Sequence, residues 1–195
     1  MNKRKFPVIL ALGLSLIVLS LAFAAILQIG AYTGYRKSLA VAAKIEDFLP
    51  DHVAGTPGMY SDVTMPSLEI DGTDYVALIE IPSFDVTIPV TNDPNSNNLF
   101  TSPSRFCGST YDHTLVIGGA DISHQFAFCD EIEIGALVTV TDMTGAEFTY
   151  TVEMVERSKT ADVSWLTDPD HDLTLYCRSL YSMDYIAVRC DFAYN

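Results

Sequence analysis

Two cysteines and two arginines fall in one short stretch near the end of the chain, Asp172-Leu-Thr-Leu-Tyr-Cys-Arg-Ser-Leu-Tyr-Ser-Met-Asp-Tyr-Ile-Ala-Val-Arg-Cys190. A thiol beside a guanidinium can be a nucleophile, because the cation favours the thiolate. Spacing decides whether the two groups meet. Leu173, Leu175 and Cys177 alternate with Thr174, Tyr176 and Arg178, and Ile186, Val188 and Cys190 alternate with Ala187, Arg189 and Asp191. Period two marks a half-buried strand, so the stretch reads as two β-strands joined by a polar loop. In one sheet both cysteines turn to the core, and Arg178 and Arg189 project from the opposite, accessible face.

The elements that would position this pair are also strands. Tyr75–Ile81 and Asp85–Val90 are β-rich runs separated by a turn at Pro82. Thr114–Gly119 is a short buried strand running into glycines, and Leu137–Thr141, a turn at Asp142–Gly145 and Glu147–Val152 form a hairpin. Asn92–Ser104 is a turn-rich loop. The folded domain begins near Leu68 and holds residues 68–195, enough for one compact core.

Before it, residues 1–5 are a basic leader, and residues 6–30 carry no charge and consist mainly of Leu, Ile, Ala and Val. That run is long enough to cross a bilayer as a helix. A small-x-small site at Ala22-Phe23-Ala24 would suit a cleaved signal peptide, but the apolar run continues past it through Ile29, which favours an uncleaved anchor. The expected topology has the N-terminus inside the cell and the rest of the chain exported. Residues 31–67 then form a juxtamembrane helix, patterned from Ser38 to Leu49 and stopped by Pro50, followed by a Gly/Pro/Ser-rich linker.

Charge divides along the chain. Six of the 11 basic residues precede Ile45, where there is no acid, so the remainder sets five cations against all 25 acids, a formal charge of −20. Binding to nucleic-acid phosphates is excluded by that balance. The five cations are Arg105, Arg157, Lys159, Arg178 and Arg189. Cys107, Cys129, Cys177 and Cys190 match no zinc spacing, and they read as small buried hydrophobes, although a Cys177–Cys190 bridge would suit a shared face. Among the histidines, His52, His113 and His171 have no catalytic setting. The acidic loop Asp168–Asp172 around His171 lacks the glycine and ligand spacing of a calcium loop.

The C-terminal strand pair resembles the active-site strands of the sortases, cysteine transpeptidases of Gram-positive surfaces. Their signature is Thr-Leu-x-Thr-Cys on one strand and an arginine ending a Val-x-Val-Arg-like run on the next. Ile81-Pro82 followed by Pro89-Val90, and Phe126, Cys129, Ile132, Ile134 and Gly135 on a Phe-x-x-Leu-x-x-Leu-x-x-Gly pattern, extend the resemblance over about Leu68 to Asp191. It implies a mainly β protein, a closed sortase-like β-barrel with short helices and loops, behind an N-terminal transmembrane helix.

The resemblance also implies where catalysis should lie. A gapless alignment puts the family's histidine on Ala120, its cysteine on Arg178 and its arginine on Arg189. A one-residue gap would instead make Cys177 the nucleophile, at the cost of turning a side chain to the wrong face of the strand. On the gapless reading the chain lacks both proton carrier and nucleophile. It becomes a membrane-anchored, exported sortase homologue with a degenerate site, serving as a peptide-binding or assembly partner in surface-protein display. The alternative is an active transpeptidase cleaving a C-terminal sorting signal through Cys177. His124, four residues after Ala120, is the nearest substitute imidazole and reads as an exposed loop histidine. Arg178 either supplies a second guanidinium that binds a carboxylate or peptide backbone, or is neutralised by Asp121, Asp184 or Asp191. The family needs no organic cofactor, and no cofactor or metal is expected here.

Overall fold

A computed structural model of the chain describes residues 5–49, 52–58, 64–93, 99 and 102–194. Residues 1–4 of the basic leader, Pro50 and Asp51, the linker centre at 59–63 and most of the 94–101 stretch lie outside the described residues.

Chain order begins with one long helix, α1 (Lys5–Phe48), in which the apolar run and the juxtamembrane pattern join without a break. Among the described residues ten strands follow: β1 (Val53–Ala54), β2 (Leu68–Ile70), β3 (Thr73–Ile81), β4 (Val86–Thr91), β5 (Ser104–Cys107), β6 (Leu115–Ala120), β7 (Leu137–Asp142), β8 (Ala146–Ser158), β9 (Leu173–Arg178) and β10 (Tyr185–Phe192). A single helical turn, α2 (Val163–Leu166), lies between β8 and β9.

Eight of these strands close on themselves. The path β8-β10-β9-β6-β5-β4-β3 is sealed by β7, which pairs with both β3 and β8. Closure leaves the eight barrel strands no free edge along the ring. Ala77, Ile79 and Ile81 of β3 belong to the barrel core with Val138, Val140, Phe148, Tyr150, Leu173, Leu175, Cys177, Ile186, Val188 and Cys190.

The run Tyr75-Val-Ala-Leu-Ile does not alternate in polarity, and the reason is α1. Its last turns cover the outside of β3, burying Val41, Ala42 and Ile45 against Ile70, Tyr75 and Leu78. Ile45 is fully enclosed, which contributes about 1.5–3 kcal/mol to docking the helix. Lys44 pairs with Asp71 at 2.7 Å on the rim. Leu10–Phe48 is the one described helix long and apolar enough to cross a membrane, and its side chains from Leu10 through Gly30 are exposed apart from the undescribed Leu27.

The linker is not wholly loose. Val53 and Ala54 run parallel to the start of β8, and Gly55 lies so close to the Phe148 ring that a Cβ there would approach it to 2.7 Å.

Candidate functional site

Three strand ends meet in one row. Parallel pairing of β6 with β9 sets Ala120 opposite Arg178, and antiparallel pairing of β9 with β10 sets Tyr185 opposite Arg178. Residues paired across a ladder point to the same face. The row therefore offers a methyl group, a guanidinium and a phenol side by side.

Arg178 is exposed. Its Nε donates to the Met183 carbonyl at 3.3 Å, and its Cζ lies 5.6 Å from the Tyr185 ring centroid. Each acid that could have neutralised it is engaged elsewhere. Asp121 accepts the Leu180 N–H at 2.8 Å, Asp184 pairs with Lys159, and Asp191 holds His171 Nδ1 at 2.9 Å. Among the described residues no carboxylate forms an ion pair with Arg178, so it is a cation with donors still available.

Arg189 is not on an accessible face. It shares the side of the sheet with Arg178 but pairs with Thr174, four residues along β9 and about 13 Å away at the rise of a strand. The segment between β8 and β9 folds over it and leaves it 0% exposed. Nε and Nη2 donate to Glu156 Oε2, each at 3.1 Å, and Nη1 donates to Thr174 Oγ1 at 2.9 Å and to the Leu166 carbonyl at 3.2 Å. Nη2 also donates to the Trp165 carbonyl, and the guanidinium lies 5.1 Å from the Trp165 ring centroid. Five N–H groups are all a guanidinium has. Nothing remains to hold a substrate or an oxyanion.

Cys177 faces inward at 1% exposure, its Sγ 3.8 Å from the Phe126 carbonyl it donates to. Cys129 and Cys190 share this core, and burial pushes both thiols well above their ordinary range. A Cys177–Cys190 bridge is ruled out by register: Cys190 pairs with Leu173, four residues from Cys177, and all four cysteines are free. Cys107, partly exposed, is also raised, chiefly by desolvation and against the pull of Arg105.

The loop after β6 is tightly folded. The Ala120 N–H donates to Gln125 Oε1 at 3.0 Å, and its carbonyl accepts from Ile122 N at 2.8 Å and Phe126 N at 3.0 Å. Gly119 is pressed on Phe126, where a Cβ would come within 2.6 Å of the ring. His124, expected as an exposed loop histidine, is half-buried against α1. Its imidazole rests on Gly34 of α1, where a Cβ would meet Cε1 and Nε2 at 2.7 Å, and burial lowers its affinity for a proton. Beside this contact a cleft of about 800 Å³ runs between α1 and the barrel, with Lys37, Asp74, Asp93 and Gln125 among its polar lining.

Asp172, in the loop weighed for calcium, accepts the Phe192 N–H at 2.8 Å and faces His113 Nδ1 at 2.9 Å. Among the described residues no group of three or more His, Cys, Asp or Glu is arranged to hold a metal ion.

Tyr185, the Trp165–Leu166 cover over Arg189 and the cleft beside α1 are additions of the structure. The first had a signal in the sequence, since Tyr185 opens the same strand that ends near Arg189. The cover and the cleft join segments far apart in the chain.

An eight-stranded closed barrel with these strand ends at one rim is the sortase fold. A structure of sortase C1 from Streptococcus agalactiae is similar at 21% identity over 66% of this chain and 72% of that one, with a TM-score of 0.51. A Clostridium perfringens sortase D5 transpeptidase matches at 18% identity over 62% and 80%, with a TM-score of 0.54. Sortase A from Corynebacterium diphtheriae matches at 16% identity over 85% of each chain, with a TM-score of 0.52. No family profile matches the sequence, and no curated protein matches it.

Proposed function

We propose that this chain is a membrane-anchored sortase homologue with a degenerate site, which binds an extended peptide or a surface-protein sorting signal rather than cleaving it. One observation carries the reading: the row Ala120–Arg178–Tyr185 contains neither thiol nor imidazole, while the neighbouring Cys177 is sealed in the core. Proton transfer by a positioned imidazole and attack by a thiolate are each worth orders of magnitude in rate. Arg178 supplies what remains, a fixed cation with donors suited to a carboxylate or a peptide carbonyl. α1 would hold the barrel outside the cell membrane, where it would act as an assembly partner in display of surface proteins.

The test uses the full chain in lipid nanodiscs, incubated with a sorting-signal peptide carrying a thiol-reactive group. Reversible binding, weakened by Arg178→Ala and without a covalent adduct at Cys177, is the expected result. An adduct at Cys177 that disappears in Cys177→Ala would revive the transpeptidase.

A further inference from the structure

We propose that the β9–β10 loop, Leu180-Tyr181-Ser182-Met183, is a second membrane contact that seats this rim of the barrel on the bilayer crossed by α1. The inference rests on the reading of α1 as a membrane anchor.

The loop presents apolar side chains to solvent. Tyr181 is 98% exposed, Leu180 56% and Met183 54%. This is not a floppy tip. Ser179 N donates to the Asp184 carbonyl at 2.8 Å, Met183 N to the Ser179 carbonyl at 3.0 Å, and Ser179 Oγ accepts from the N–H groups of Tyr181 and Ser182, each at 3.3 Å. Met183 holds φ at 62°, in the left-handed region that a bulky residue rarely adopts. The fold thus fixes the side chains outward rather than tucking them in.

Position supplies the partner. α1 meets the loop after β6 where Gly34 lies under His124, and His124 is three residues from Asp121, whose carboxylate accepts the Leu180 N–H. Three residues span about 10 Å at most. Along the helix, Gly34 stands about 6 Å beyond Gly30, where the apolar run ends. The headgroup layer on one side of a bilayer is about 5–7 Å thick. The His124 contact therefore sits at headgroup depth, and Asp121 with the tip it holds lies within about 10 Å of it along the chain.

Tyr32 and Tyr35 are exposed on α1 at this level, where aromatic residues gather at membrane interfaces. Charge alone would not bring so acidic a domain to the surface, so apolar insertion carries the contact. A protein partner fits less well. A stable interface buries about 800 Å² on each side, far more than three side chains offer, whereas the anchor already keeps the loop at high effective concentration near lipid.

The experiment places a nitroxide on Tyr181→Cys in the full chain in nanodiscs, in a Cys107→Ser background that leaves only buried native thiols. Asp170→Cys, before the far end of β9, and Leu16→Cys, within the apolar run, are the references. Relaxation by oxygen, which enters lipid, is compared with relaxation by a water-soluble nickel chelate. The expected oxygen-to-nickel ratio at Tyr181 is severalfold above that at Asp170 and approaches that at Leu16. A ratio at Tyr181 equal to that at Asp170, with Leu16 in lipid, overturns the loop contact and leaves the anchor standing. A water-exposed label at Leu16 overturns both. A Tyr181 label shielded from both reagents means that protein covers the loop, and the lipid contact is wrong.

Discussion

Arg189 Nε and Glu156 Oε2 lie 3.1 Å apart beneath the Trp165 ring, in a site where the arginine has no exposed surface. The pair ties β10 to β8, and the Arg189 bonds to the Trp165 and Leu166 carbonyls fasten the segment between β8 and β9 to the barrel wall. Truncating Arg189 to Ala would leave Glu156 and two backbone carbonyls without their donor, at a cost of about 3 kcal/mol. A calorimetric scan of Arg189→Ala should show a melting point lower by several degrees. Arg178→Ala, an exposed change with one bond to lose, should stay within about 0.5 kcal/mol of the parent. Equal losses in the two variants would contradict the assignment of a structural role to Arg189 and a surface role to Arg178.

His124 makes the α1–barrel contact sensitive to pH. Burial holds its folded-state pKa below the ordinary value of about 6.5. Between those two values the undocked state binds a proton that the docked state does not, so stability rises with pH across that window. The contact is at full strength above the ordinary histidine value and weakens as pH falls through the window. A spin label on Lys37→Cys should gain mobility on acidification, and His124→Phe should flatten that response.

Restoring the missing groups tests the row itself. In Ala120→His/Arg178→Cys the new thiol and imidazole would face each other across the β6–β9 ladder. Alkylation followed against pH should then have its midpoint at least about one unit below that of Arg178→Cys alone, because the imidazolium favours the thiolate. Coincident curves would mean that positions 120 and 178 do not meet.

Much of this was legible in the sequence, because period-two alternation survives wherever one face of a strand is buried. Leu173, Leu175 and Cys177, with Ile186, Val188 and Cys190, all lie in the barrel core as the alternation requires. The hairpin from Leu137 to Val152 is likewise formed as read. Alternation assigns a side chain to a face but says nothing of what covers that face. Arg189 was expected in the open beside Arg178. It lies instead under Trp165 and Leu166, which come from an irregular segment with no periodic signal of its own. Tyr75–Ile79 failed to alternate for the same kind of reason, since α1 buries the outer side of β3. Partners brought in from distant segments are what a single sequence conceals.

The account turns most directly on the thiol of Cys177, and alkylation of the native full chain, followed by peptide mapping from mildly acidic to mildly alkaline pH, measures it. Cys107 should be modified while Cys129, Cys177 and Cys190 stay protected until the protein is unfolded. Rapid modification of Cys177 in the folded chain, with an apparent pKa well below that of a free thiol, would contradict the account and put a working nucleophile back in the site.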